Sequence, residues 1–265
     1  MSILEKKLKT QHNLNQEIQQ IEFDQQFKFF DLLPPNEEEL ITINEKVVLS
    51  SRNMMMISGL PKSNKSTVAL MFLFSFIANK NVQGIKVKKT GKALYIDTEL
   101  SNLSFYKAFH RARVLSGVKE LDYDCFNVYL LRMLDKDKII SNLIFLLEHN
   151  EDYKYVFIDG ILDLCNDFNN VEETKQLMSM LQAICEKRDV SIISVMHLGK
   201  TNGYALGHVG SSAQRKMESC INVSKDSDES NAITITPKFL RSDAHFQDIR
   251  FNTVHLYEQN KSQVV

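Results

Sequence analysis

The chain has 265 residues, 43% hydrophobic and 25% charged, with 32 Lys and Arg against 33 Asp and Glu. That length accommodates one large α/β domain with a small N-terminal appendage, and a net charge of −1 leaves only a local patch to attract nucleic acid. The four cysteines (Cys125, Cys165, Cys185, Cys220) form no CxxC pair, which argues against a thiolate metal site and suits a reducing, cytoplasmic setting. The N-terminus lacks the apolar core of a signal peptide, and the longest apolar stretch, Val68–Ala78, is too short to cross a bilayer, so no membrane partner is expected.

Residues 1–31 are rich in Gln, Lys and Glu, with Leu4, Leu8, Leu14, Ile18 and Ile21 near helical spacing. They predict a helical arm over residues 1–35, closed by Pro34-Pro35, that either packs on its own domain or docks on a neighbouring subunit. Residues 36–265 read as one further domain. Strands are expected at Met54–Ser58, Ala93–Asp97, Phe126–Leu131, Tyr155–Asp159 and Ser191–Met196. Between them, helical patterns fall near Ser66–Asn79, Leu103–Leu115, Lys136–Glu148 and Val171–Lys187. Such alternation implies right-handed crossovers and a mostly parallel sheet flanked by helices. Cys220–Ser224, Ala232–Lys238 and Ile249–Leu256 are shorter and separated by polar turns, which predicts a C-terminal antiparallel extension. The basic cluster Lys86, Lys88, Lys89 and Lys92 reads as a solvated hairpin, with contact to a phosphate backbone as the alternative.

The segment Gly59-Leu-Pro-Lys-Ser-Asn-Lys-Ser-Thr67 follows an apolar strand and opens a helix, the context a phosphate-binding loop requires. Its nucleotide-binding residues are Gly59, Pro61, Lys62, Ser63, Asn64, Lys65, Ser66 and Thr67. Lys65 is placed to reach the β and γ oxygens and Ser66 to offer its hydroxyl to Mg²⁺. Asn64 stands where a glycine is usual, and Asn tolerates left-handed backbone better than other side chains. Three further strands end in polar groups: Asp97-Thr-Glu99, Asp159-Gly160 and His197. Their order and spacing fit a P-loop site, with Asp159 coordinating Mg²⁺ beside the loop.

These motifs resemble the RecA-like P-loop ATPases related to plasmid RepA-type hexameric helicases, within a branch found on Bacteroidetes mobilisable elements. The resemblance runs from about Met54 to Phe251 and includes Asp97-Thr-Glu99, Asp159–Asn169, His197-Leu-Gly-Lys200, Gly207–Ser211, Lys216-Met-Glu218 and Arg241. The sequence departs from that branch at Leu162, where Arg is usual, and at Gly199-Lys200, where Asn-Lys is commoner.

The resemblance implies a RecA-like NTPase fold, ATP and Mg²⁺ as cofactors, and a homo-oligomeric ring, in some relatives a hexamer. Glu99 becomes the general base beside Asp97, Asp159 the Mg²⁺ carboxylate and His197 the reporter of phosphate state. Lys238 and Arg241 become trans-acting cations, since no Arg lies within the loop or beside Glu99 in the sequence. The loop Gly199–Ser212, with Lys200 and His208, falls where such motors face single-stranded DNA. The function implied is a DNA-associated motor, helicase or loader in mobile-element replication or mobilisation. A low-turnover, ATP-dependent switch or scaffold recruiting protein partners is the rival, and a small-molecule kinase is disfavoured by the late strands.

Overall fold

This computed structural model describes residues 37–198, 215–225 and 232–253. The arm expected over residues 1–35 and the loop Gly199–Ser212 lie outside them.

The described chain begins with a hairpin that the strand signals did not reveal. β1 (Glu39–Ile43) and β2 (Lys46–Ser50) are joined by Asn44-Glu45, whose φ angles are 46° and 66°. Two consecutive left-handed residues match the natural twist of paired strands. β3 (Met54–Gly59) is buried at every position, as a central strand covered on both faces must be. It runs through the loop Leu60–Asn64 into α1 (Lys65–Ala78), of whose 14 residues 12 are buried. A helix that is apolar all round must be covered all round. The cover on one side is a second sheet: β4 (Ile85–Val87) pairs antiparallel with β1, giving the order β2-β1-β4. Ser75, in the last third of α1, fastens the two together. Its hydroxyl reaches the carbonyls of Lys80 and Ile85 (2.7 and 3.2 Å) and accepts the Val87 N–H at 3.0 Å.

The main sheet is completed by β5 (Lys92–Asp97), β6 (Phe126–Leu130), β7 (Tyr153–Asp159), β8 (Ser191–His197), β9 (Ser219–Lys225), β10 (Ala232–Leu240) and β11 (Ile249–Asn252). Its eight strands lie in the order β11-β10-β9-β3-β8-β7-β5-β6. All neighbours from β9 to β6 are parallel, and β10 and β11 add antiparallel to the edge. The expected architecture is therefore present, with one adjustment: Cys220–Ser224 lies in β9, which joins the parallel core beside β3.

Crossover helices α2 (Asn102–Leu115), α3 (Lys136–Glu148) and α4 (Val171–Arg188) each begin at a side-chain cap, from Ser101, Asp135 and Asn170 respectively. Alternate residues of β3 serve different cores. Met55 and Ile57 face α1, α2 and the small sheet, while Met54 and Met56 face α3 and α4. Among the described residues no helix is long and apolar enough to cross a membrane.

The expected solvated hairpin at Lys86–Lys92 is corrected. Lys86 is in β4, paired with Thr42 of β1, because Ile85 and Val87 on either side of it are needed to cover α1. Lys88, Lys89 and Lys92 form ion pairs with Glu38, Asp122 and Asp152.

Candidate active site

Gly59, the last residue of β3, is in register with His197, the last of β8, and Asp159 of β7 is in register with Asp97 of β5. Four strand ends, three of them polar, thus share the C-terminal edge of the parallel sheet, where open α/β sheets bind ligands.

The loop before α1 is shaped by Lys62 and Asn64, with φ of 66° and 69°. Asn64 is the residue before α1, but its side chain makes no capping bond, and the first turn carries no acidic residue. An uncapped helix N-terminus offers its backbone N–H groups and positive dipole end to an anion. Lys65 is buried and its Nζ donates to the Leu60 carbonyl at 2.7 Å. Burial pushes its pKa down to about 8, against the opposing pull of Glu99 and Asp159. The buried Ser63 hydroxyl has no hydrogen-bond partner. A cradle of this kind, with an ammonium turned onto its own backbone, fits a polyphosphate.

Asp159 is fully buried, and its Oδ2 accepts from the Tyr95 hydroxyl at 2.8 Å. Burial first, then the charge of Asp97, raises its pKa to about 7, although hydrogen bonds from Ser66 and Tyr95 work the other way. Asp97 is raised to about 6, chiefly by burial, even though its Oδ1 accepts the N–H groups of Glu99 and Leu100 at 3.0 and 2.7 Å. Its Oδ2 is buried without a partner. Two carboxylates held above their ordinary range, one with an unsatisfied oxygen, fit a site that takes a divalent cation. Ser66 and Asp159 are the residues expected to hold that ion, and water would complete a shell that Mg²⁺ gives up reluctantly.

Glu99 follows the bend that Asp97 pins, and its Oε2 lies 2.8 Å from Nε2 of His197. Thr98 is drawn the other way. Its hydroxyl donates to Asp163 Oδ2 at 2.7 Å and packs on Gly160, whose φ of 112° a side chain would not take without colliding with that hydroxyl. Asp97 therefore acts as the turn-former that aims Glu99. Leu162, at the expected Arg position, packs partly buried against the core.

Two groups at this site were not anticipated. Tyr95 lies mid-strand in an apolar run, and only its register identifies it as the partner of Asp159. Arg111 of α2 donates from Nη1 to Asn64 Oδ1 at 3.0 Å, so an arginine does reach the loop within the same chain. The sequence has no Arg inside the loop or beside Glu99, and this one arrives from α2; the 47 residues between the pair hide it from local inspection. The two expected trans cations are separated. Lys238 lines a cavity of about 300 Å³ beside the loop, with Pro61, Lys62, Ser63 and Leu198. Arg241 lies at the opposite edge, its N–H on the Glu218 carbonyl and its guanidinium on that of Arg215. Glu218 is level with Met54 at the start of β3, so Arg241 is on the order of 15 Å along the strands from the loop.

A parallel sheet, a loop cradle at the first helix and acidic strand ends beside it define a P-loop ATPase of RecA-like architecture. Residues 19–203 match the family described as AAA domain, and the chain belongs to that family. A solved structure described as an ATPase domain is similar in fold, with a TM-score of 0.50 and 12% identity over 75% of this chain and 80% of that one. No curated protein matches.

Proposed function

We propose that this ATPase is a DNA-associated motor or loader of a mobile element, of the RepA-type lineage, working as a homo-oligomeric ring on single-stranded DNA. The reading rests on one observation: Lys65, Asp159, Glu99 and His197 converge at the C-terminal edge of the parallel sheet, with Glu99 and Asp159 close enough to act on the Lys65 charge. In this reading the loop N–H groups and Lys65 hold the β- and γ-phosphates. Glu99 takes the proton from the attacking water, and Asp97 and Thr98 fix its direction. Ser66 and Asp159 would hold Mg²⁺, which when bound would supply positive charge at the transferring phosphoryl. His197 releases Glu99 when the γ-phosphate arrives, and Lys238 or Arg241 serves a neighbouring site.

One feature favours the rival switch with low turnover. Glu99 is engaged by His197 and Lys65 by Leu60, so both working groups must change partners before hydrolysis. ATPase rate of the full chain with and without single-stranded DNA, alongside its mass in solution, separates the two. A motor shows DNA-stimulated turnover and a multimer; a switch binds ATP with slow turnover that DNA leaves unchanged. Lys65→Ala should abolish hydrolysis with the fold intact, and unchanged turnover in that variant overturns the placement of the site.

A further inference from the structure

Asn64 breaks the usual rule for the residue that precedes a helix. Such a residue has extended backbone and turns its side chain back onto the first-turn N–H groups. Ser101, Asp135 and Asn170 do so in this protein. Asn64 instead has left-handed backbone (φ 69°, ψ 30°) and makes no capping bond. Its Oδ1 is turned outward and accepts from Arg111 Nη1 at 3.0 Å.

Arg111 is brought there by packing. Phe105, Ala108 and Ala112 are the buried face of α2, and Phe109 lies 4.8 Å, centroid to centroid, from Phe74 of α1. The two helices are thereby locked side by side, with Arg111 half-buried on the flank of α2 nearest the loop. No carboxylate pairs with Arg111 within salt-bridge distance among the described residues. Its partner is a neutral amide, which orients a guanidinium without neutralising it.

We propose that Asn64 is a positioning residue that stations Arg111 over the phosphate loop, making Arg111 a cis-acting cation for the bound triphosphate. The glycine usual at this position would leave the loop backbone unchanged and the arginine without its anchor. Asn64 thus preserves the left-handed turn, leaves the helix N–H groups to the ligand and supplies a cation from outside the motif. This rests on the ATPase reading above.

The test is a double-mutant cycle on the full chain, using Asn64→Gly, Arg111→Ala and the pair, with ATP·Mg²⁺ and AMP as ligands and hydrolysis followed in parallel. Arg111→Ala should weaken ATP binding by roughly tenfold or more, the scale of one charged hydrogen bond, and AMP binding much less. Asn64→Gly should move ATP affinity the same way, and the pair should be no worse than Arg111→Ala alone. Arg111→Lys should restore part of the affinity in the Asn64 background and none of the coupling. Purely additive effects, or an Asn64→Gly variant that binds and hydrolyses ATP better than wild type, overturn the proposal. If wild type binds no ATP, it is the ATPase reading that fails; if wild type turns over and the cycle is additive, only the Asn64–Arg111 role does.

Discussion

His197 Nε2 and Glu99 Oε2 are 2.8 Å apart, at the ends of two strands separated in the sheet by β7. The bond occupies one of the two carboxylate oxygens with which a general base could meet water, while Nδ1 of the same ring is buried without a partner. Glu99→Gln should retain ATP binding and lower turnover by about 10²–10⁴, because an amide cannot accept the proton. His197→Ala should raise the basal rate relative to a nucleic-acid-stimulated rate, since Glu99 then has no competing partner. Steady-state hydrolysis with and without single-stranded DNA checks both; a Glu99→Gln variant at the normal rate moves the base to Asp97 or Asp163.

The nucleotide-free protein should show an unusual stability profile with pH. Asp159 and Asp97 are raised to about 7 and about 6 by burial. Between pH about 4 and 7 the folded state therefore keeps protons the unfolded chain has released, and stability falls as pH rises. Lys65 is lowered to about 8, so between pH 8 and about 10.5 the unfolded chain holds the extra proton and stability rises again. Asp159→Asn should flatten the first slope and stabilise the apo protein at pH 8, by on the order of 2 kcal/mol. The same variant should lose Mg²⁺-dependent hydrolysis. Denaturant midpoints at stepped pH read the slopes, and an unchanged slope in Asp159→Asn removes the basis of this prediction.

Tyr95→Phe isolates the role of the hidden tyrosine. The ring is packed against Phe157 and Phe105, with centroids 5.6 and 5.8 Å away, so Phe keeps that packing. Loss of the hydroxyl leaves Asp159 Oδ2 unpartnered, at a cost of about 1–3 kcal/mol in the apo state. The Mg²⁺ concentration required for half-maximal hydrolysis should change while the fold is retained. A Mg²⁺ titration indistinguishable from wild type would show that Tyr95 only fills space.

Arg241 requires a paired test, because its guanidinium caps the Arg215 carbonyl and its removal disturbs both residues. Arg241→Ala should lower turnover by roughly 10³ if it completes a neighbour's site, with ATP affinity little changed. Mixing that variant with Lys65→Ala protein should restore part of the activity, since some interfaces then pair an intact loop with an intact Arg241. Failure to recover, together with wild-type hydrolysis by a monomer at every concentration, rules out a trans role.

Much of the frame was legible because period and punctuation agree. Met54–Ser58, Ala93–Asp97 and Tyr155–Asp159 are apolar runs ending in polar residues, and Ser191–Met196 is a mainly apolar run followed by His197, the pattern of strands buried on both faces. The small sheet was not, since its hairpin turns on Asn44-Glu45 without a glycine, and β4 is three residues long amid lysines. The loop itself announced Lys65 and Ser66, whereas Tyr95 and Arg111 reach the site through strand register and helix packing. Those two determinants act across 64 and 47 residues of chain, beyond any local pattern.

The grip that Ser75 and the small sheet exert on α1 divides the surroundings of the loop by stiffness. Twelve of the 14 residues of α1 are buried, against three of the 14 in α2. A helix so enclosed behaves as a fixed abutment, and displacements at the loop must be absorbed by its other neighbours. Amide exchange should rank them accordingly, slowest in α1 and fastest in the exposed turns of α2. The Asn64–Arg111 bond ties the rigid side to the compliant one, so α2 is the element through which strain at the phosphate cradle leaves the core.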